Sequence, residues 1–312
     1  MLESQNTPEL AQRIADESQG WPFFVWELAQ QVRENPDFAN QSLELDEVIW
    51  ARVQRLPEGA IEFLQLIAVV GRPMPVGEAY QALDVVAEGP GLLAQLRTAN
   101  FVRTTDSGEG AIVETYHDRV RESVFNHMGD SVVQQLYLRL ANHTLETSGL
   151  AAEAMTAHIE LTPDYEPPAD PLSIDKPQWQ RVFDVSRFFD SGGDSEQALP
   201  FALVAAERAW SRNAFEVAEQ YYQIAAGGAD RSSNALRFRI AEGLGHVLLM
   251  RGKYDASAEQ FELARSLAQD NITRARIDAH QGDVRFKEGD IDPRARCRWQ
   301  VTQGPRLQVK LT

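Results

Sequence analysis

The sequence predicts a mainly α-helical protein in which a compact helical domain with one small β-hairpin is followed by a solenoid of α-helical hairpins. Three observations lead to this prediction. Apolar residues recur with helical spacing through most of the chain. Two β-rich runs flank one glycine-rich loop near its middle. From residue 178 onwards, short breaks containing glycine or asparagine separate one helical segment from the next.

Composition and charge limit the classes of function. Of 312 residues, 43% are hydrophobic, which is enough to form real cores. The 46 acidic residues outnumber the 30 basic ones, and a net charge of -16 argues against binding to nucleic acid or to an anionic membrane. Cys297 is the only cysteine, so we expect neither a disulfide framework nor a thiolate metal site. With no signal peptide and no long apolar run, the expected location is cytoplasmic.

The first segment reads as two helices joined by a tight turn. Thr7 and Pro8 have the residue types of a helix start, and Gly20 is expected to end that helix. Trp21 and Pro22 then begin a second helix. A glycine cap followed by a proline in the first turn is also what any two consecutive helices need, so a purely structural interpretation stays open.

The next segment has the pattern of a small helical domain. Leu45–Leu56 is amphipathic, and Ala60–Val70 is nearly all apolar, which predicts a buried central helix. Gly71–Pro75 is expected to stop it. Two shorter helices are predicted at Val76–Leu83 and Gly91–Ala99.

A β-hairpin is predicted after these helices. Phe101–Thr105 and Ala111–Tyr116 flank the glycine-containing loop Asp106–Gly110, and a closing helix follows at His117. Helices, one hairpin and a closing helix form the winged-helix arrangement, a variant of the helix-turn-helix. A DNA-binding domain would need several basic side chains to contact the phosphates. The third helix contains only one, Arg97, and the hairpin loop contains acidic residues.

The remaining chain is predicted to be helical, with one interruption. Val132–Thr147 is a long amphipathic helix, and Ala151–Leu161 is a shorter one that carries His158. The proline-rich stretch 162–177 is expected to be a linker. The solenoid of helical hairpins then follows.

One segment of the solenoid, Ala241–Ala264, resembles the tetratricopeptide repeat. Small residues at Gly245 and Ala258 would let two helices approach closely, whereas Tyr254 and Phe261 would be buried between neighbouring hairpins. Related patterns lie 37 residues downstream and 39 upstream, against about 34 for the standard repeat. The resemblance implies protein partners that bind to the repeats.

Two further motifs resemble those of STAND-class signalling ATPases. His117-Asp118-x-x-Arg121-Glu122 is similar to the family's methionine-histidine-aspartate motif, which closes the winged helix and whose histidine touches the phosphates of ADP. Asp16–Leu28 is similar to its lid segment, in which a proline abuts the adenine ring. The resemblance therefore implies nucleotide contacts from Pro22 and His117. A helix-capping His-Asp pair with a structural role is the alternative.

The catalytic parts of that family are missing from this sequence. Larger relatives carry an ATPase core before the lid, sometimes behind a serine/threonine kinase domain, but no Gly-x-x-x-x-Gly-Lys-Ser/Thr occurs here. We therefore expect no enzymatic activity, no catalytic residues and no cofactor bound by this chain alone, with ATP or ADP implied only for full-length relatives. No His-Glu-x-x-His pair occurs, and no metal ligands are predicted.

Together these patterns predict five regions along the chain. They are lid-like helices of a truncated ATPase module (1–42), a winged-helix domain (43–130), a helical connector and linker (131–176), tetratricopeptide-like repeats (177–291) and an atypical tail (292–312). The tail contains bases and almost no acids, which suggests a truncated or frameshifted gene product.

Three functions fit this order of regions. The first is a non-catalytic regulatory and protein-interaction fragment of a STAND-type ATPase. The second is a winged-helix transcription regulator whose repeats sense an inducer, and the third is a free-standing repeat scaffold.

Overall fold

The computed structural model describes residues 8–34, 44–105, 110–150, 155 and 176–289. Residues 1–139 and 140–312 form two compact units. The described part of the chain contains fourteen helices and three short strands, so the prediction of a mainly α-helical protein with a small sheet and helical repeats is confirmed.

The helices cover most of the described residues. Eight of them precede residue 150: α1 (Pro8–Glu17), α2 (Pro22–Glu34), α3 (Leu45–Val53), α4 (Glu58–Val70), α5 (Val76–Ala82), α6 (Gly89–Thr98), α7 (Asp118–Asn126) and α8 (Asp130–Ser148). Six follow residue 175: α9 (Lys176–Ser191), α10 (Ser195–Ser211), α11 (Phe215–Gly227), α12 (Asn234–Met250), α13 (Tyr254–Leu267) and α14 (Asn271–Glu288). Among the described helices, none combines the length and the apolar composition that crossing a membrane requires.

Helix α4 is the centre of the first unit, as its nearly continuous apolar run predicts. Phe63, Leu64 and Leu66 are completely buried, because α4 is covered on several sides by neighbouring elements. The helix ends where predicted, with the N–H of Gly71 donating to the carbonyl of Ile67 at 3.1 Å.

The sheet contains the predicted hairpin and one strand that the sequence analysis missed. Strands β2 (Val102–Thr104) and β3 (Ile112–Thr115) are antiparallel. Strand β1 (Met74–Pro75) pairs with the other edge of β3, in the segment predicted only to stop α4. A two-residue edge strand ending in proline has no periodic signal, since proline cannot donate to a sheet and breaks both helices and central strands.

The breaks between the helices of the second unit lie where the sequence predicted them. Gly193, Asn213, Gly252 and Gly289 have φ values of 81°, 57°, 73° and 93°. This left-handed conformation is open to glycine and, less readily, to asparagine. At Asn213 and Gly252 the chain reverses direction and forms the antiparallel helical hairpins α10–α11 and α12–α13.

The predicted packing of the α12–α13 hairpin is only partly right. Phe261 is completely buried, and a Cβ atom added to Gly245 would lie 2.8 Å from its ring, so the glycine allows this close approach. Tyr254, in contrast, is half-buried at the edge of the same cluster. As the first residue of α13, it lies beside the turn, where packed neighbours surround it on one side.

Buried or partly buried ion pairs repeat between alternate helices of the second unit. Glu207 of α10 accepts two hydrogen bonds from Arg239 of α12, at 2.7 and 2.8 Å. Glu242 of α12 lies 3.1 Å from the Nε of Arg276 of α14. An acid on one helix thus pairs with an arginine on the next-but-one helix, which aligns successive hairpins along the array.

Three predictions fall on residues that the structure does not describe. They are the helix at 151–161 with His158 (of which only residue 155 is described, as helical), the proline-rich linker, and the basic tail. The division into five regions stays a prediction.

Candidate functional site

His117 lies at the junction between β3 and α7, where the sequence predicted it. It is the N-cap residue of α7, in an extended conformation with φ -150° and ψ 149°. Its Nδ1 accepts a hydrogen bond from the backbone N–H of Arg119 at 3.1 Å. Because Nδ1 acts as the acceptor, the neutral ring carries its proton on Nε2. The capping role weighed for this histidine is therefore present, and Nε2 is left as a donor.

The lid-like segment packs against the same imidazole. The ring of Trp21 meets His117 edge-on with the centroids 4.8 Å apart, and Phe24 does so at 4.9 Å. Phe24 is buried, whereas Trp21 is 53% exposed. Pro22 lies between them as the first residue of α2, with an exposed side chain. The two motifs, far apart in sequence, are thus neighbours in the first unit.

A cavity of about 410 Å³ opens beside His117. Trp21, the end of α4 and the turn after it, the sheet and the first turn of α7 form its wall. Its charged lining residues are Arg72, Arg103, Glu114, Asp118 and Arg121, and the lining also includes His117 and Tyr116. Within this lining, Arg103 donates to Glu114 at 2.8 Å across the two strands.

The charges of this cavity suit an anion. Three guanidinium groups, those of Arg72, Arg103 and Arg121, face two carboxylates, and the positive end of α7 lies at the same wall. Arginine presents planar, paired N–H groups that match phosphate oxygens. The Nε2–H of His117 adds a further donor. The arrangement of donors and positive charges therefore suits a phosphate group.

An arginine of α3 connects the lid-like segment to the rest of the unit. Arg52 forms an ion pair with the buried Glu27 at 2.9 Å and donates to the carbonyl of Ala99 at 3.0 Å. Its guanidinium also lies over the rings of Phe23 and Phe101, at 5.4 and 5.1 Å. Burial raises the pKa of Glu27, and Arg52 opposes that shift. These contacts hold α2 in place, so Trp21 and Phe24 meet His117 in a defined position.

Helix α1 is tied to its neighbours through one carboxylate. Glu17 accepts a hydrogen bond from the N–H of Leu45 at 3.0 Å and lies 3.7 Å from the guanidinium of Arg119. Arg119 also donates the N–H that His117 caps. The helices around the candidate site are thereby coupled to the first turn of α7.

The sequence analysis singled out Pro22 and His117 but not the arginines of the cavity wall. His117 lines the cavity, whereas Pro22 does not, although its neighbour Trp21 does. The nucleotide contacts of both residues stay a prediction. Arg72 and Arg103 were not singled out, because one lies in a turn and the other in a strand, with no fixed spacing from His117. The sequence signal that could have found them is weak: an arginine directly after a helix-ending glycine, and another on the hairpin strand.

Comparisons with known proteins give one distant match. The chain is similar to the solved structure of a STAND protein with a tetratricopeptide repeat sensor from Pyrococcus horikoshii, at 15% sequence identity and a TM-score of 0.30. The match covers 96% of this chain and 54% of that one, so the chain spans about half the length of the structure it matches. No protein-family model and no curated protein matches the sequence.

Proposed function

We propose that this chain is the regulatory and protein-interaction part of a STAND-type signalling ATPase, and that Pro22 and His117 contact ADP held by an ATPase core. One observation carries the proposal. The histidine of the family-like motif lies at a helix N-terminus, beside an arginine-lined cavity and against the lid-like segment. This combination supports a site for nucleotide phosphates.

The proposed contact follows from the donors around the cavity. ADP carries negative charge on its two phosphates, and an N–H donor next to guanidinium groups stabilises such an anion. Trp21 lines the cavity beside His117, and both Trp21 and the adjacent Pro22 are exposed, so they offer an apolar surface for an adenine ring. In this arrangement bound ADP would hold the first unit against the ATPase core. Release of ADP would free the first unit.

The proposed chain is non-catalytic by itself. Phosphoryl transfer needs a backbone cradle with a lysine, and a hydroxyl and an acid for Mg²⁺. The one Gly-Lys pair of the sequence is Gly252-Lys253, in the turn between α12 and α13. Lys253 donates to Glu219 at 2.7 Å, so its ammonium group takes part in the packing of the repeats.

The helical hairpins supply the proposed binding surface for protein partners. Stacked hairpins present long surfaces whose side chains vary independently of the packed interior. In a STAND-type regulator such an array would receive the signal. The proposed winged helix would then pack on protein, because Arg97 is the one basic residue of α6 that could contact DNA phosphates.

The nucleotide contact can be tested with two substitutions of His117 in a fusion to the ATPase module of a STAND relative. His117→Asn keeps a helix cap, since asparagine is among the best capping residues, but removes the imidazole donor. His117→Ala removes both. If Nε2 contacts a phosphate, both variants should release ADP faster than the wild type.

The same two variants distinguish the proposed nucleotide contact from a purely structural role of His117. A histidine that only caps α7 would leave ADP release unchanged in His117→Asn, while His117→Ala would lose about 0.5–2 kcal/mol of stability. Fluorescent ADP displacement and thermal unfolding measure the two properties independently. The unfused chain should show no tight nucleotide binding, since the proposed ATPase core would supply most of the contacts to the nucleotide.

A further inference from the structure

A cluster of metal-ligating side chains lies in the second unit, away from His117. Glu242 and His246 are one turn apart on α12 and therefore share a face. His280 reaches them from α14. One ligand atom from each residue lies within 4.8 Å of the others, and the two imidazole centroids are 4.3 Å apart.

A buried ring positions both imidazoles. Phe261 of α13 meets His246 edge-on at 5.1 Å and stacks on His280 at 5.5 Å with an interplanar angle of 26°. Glu242 is almost fully buried, with 2% of its side chain exposed, whereas His280 is 24% exposed. The cluster therefore has a closed side at the carboxylate and an entrance beside His280.

The surroundings shift the pKa of both imidazoles in the same direction. Burial, followed by the neighbouring His280 and Arg276, lowers the pKa of His246 to about 3. Burial also lowers the pKa of His280, where Asp283 opposes the shift and Arg276 adds to it.

One cation also faces the cluster. The Nε of Arg276 lies 3.1 Å from Oε1 of Glu242, and its Nη2 lies 3.3 Å from Oε2. The guanidinium orients the carboxylate and competes with a second cation for it. Because Oε1 also lies 3.9 Å from the Nε2 of His280, a metal ion could share this oxygen with the arginine.

We propose that Glu242, His246 and His280 bind a divalent transition-metal ion of the zinc class, which bridges α12 and α14. Two imidazole nitrogens with one carboxylate form a ligand set that suits zinc and its neighbours, whereas magnesium and calcium prefer oxygen ligands alone. Ligands of a tetrahedral zinc site are about 3.4 Å apart, as its bond lengths require. Small side-chain rotations would bring the three groups to that distance.

The bridge would connect two successive helical hairpins. Helix α12 belongs to one hairpin, and α14 is the helix that follows it in the array. Three protein ligands leave one position for water or for a group of a bound partner. Metal binding would therefore stiffen this end of the repeats and could take part in partner binding.

Binding can be measured on the tag-free full chain after treatment with a chelator. Cobalt(II) serves as the probe, because its visible absorption reports coordination, and zinc then displaces it. We expect one equivalent to bind and the melting temperature of the second unit to rise. Loss of a partner that merely supports a metal ligand costs about 10–100-fold in affinity. His246→Gln, His280→Gln and Glu242→Gln should each weaken binding at least about tenfold.

A control variant outside the cluster shows whether the loss of binding is specific to the three proposed ligands. His127→Gln removes a histidine of the first unit that stacks on Trp50, and it should leave cobalt binding unchanged. The proposal would be overturned if cobalt at millimolar concentration gave no visible absorption from coordination. It would also be overturned if His280→Gln, shown by circular dichroism to be folded, bound cobalt as tightly as the wild type.

Discussion

The buried pair of Glu207 and Arg239 gives the sharpest test of how the hairpins are held together. Both side chains are nearly inaccessible, with 1% and 6% exposed, and they form two short hydrogen bonds. Arg239→Met would leave the carboxylate buried without its partner. Glu207→Leu would leave the guanidinium in the same position.

The magnitude of the loss follows from the geometry. Two unit charges about 4 Å apart attract by about 4 kcal/mol at an effective dielectric constant near 20. Breaking such a pair by removing one partner typically costs about 3–5 kcal/mol, since the remaining charge stays desolvated. Each single variant should therefore lose about that much free energy of unfolding. The double variant should recover most of it, because an apolar pair of similar volume has no charge to desolvate.

Urea-induced unfolding of the second unit, followed by far-UV circular dichroism, measures these differences in the free energy of unfolding. The exposed pair of Arg265 and Asp278 provides the matched control, since its charges stay hydrated and Arg265→Met should leave the midpoint nearly unchanged. If the double variant is as unstable as the sum of the single ones, the two residues do not act as a pair. That result would refute the reasoning.

Three further outcomes are expected. Phe261→Ala should cost about 3–5 kcal/mol in chemical denaturation, because the ring is fully buried, and Tyr254→Ala should cost clearly less; equal losses would contradict the packing described. Burial raises the pKa of Tyr221 to about 12, and its hydroxyl donates to the carbonyl of Phe183. Since the unfolded tyrosine ionises near 10, this residue should contribute stability below pH 10 and lose it towards pH 12, by at most about 1.4 kcal/mol per pH unit. Tyr221→Phe should flatten that part of the stability profile, and an unchanged slope would count against the buried hydroxyl. Finally, the chain should release no phosphate from ATP with Mg²⁺ present, and turnover that persists through further purification would mean that an active site has been overlooked.

Local patterns were enough to predict most of the helices and their ends. The apolar run of α4 has no other stable position than the interior, and a glycine follows it where the helix stops. The hairpin turns were equally predictable, because Gly252 and Asn213 belong to the few residue types that accept a left-handed conformation. These signals are local, since each of them depends only on residues within about one helical turn of one another.

Features that depend on distant neighbours were missed or misjudged. Strand β1 exists because β3 offers it an edge, and its own residues read as a turn. Tyr254 has the residue type of a core position, but its place at a helix start leaves it half-exposed. In both cases the burial or pairing is set by a partner far away in sequence.

The two candidate sites show the same division. The sequence by itself predicted that a histidine stands where α7 begins, because helix starts are local properties. It predicted no metal ligands, although helical periodicity alone places Glu242 and His246 on one face. Only the tertiary structure decided that Trp21 and Phe24 pack on His117, and that His280 meets Glu242. Those contacts depend on the angles and offsets between packed helices, which result from the whole set of side chains at each interface. No spacing along the chain specifies them.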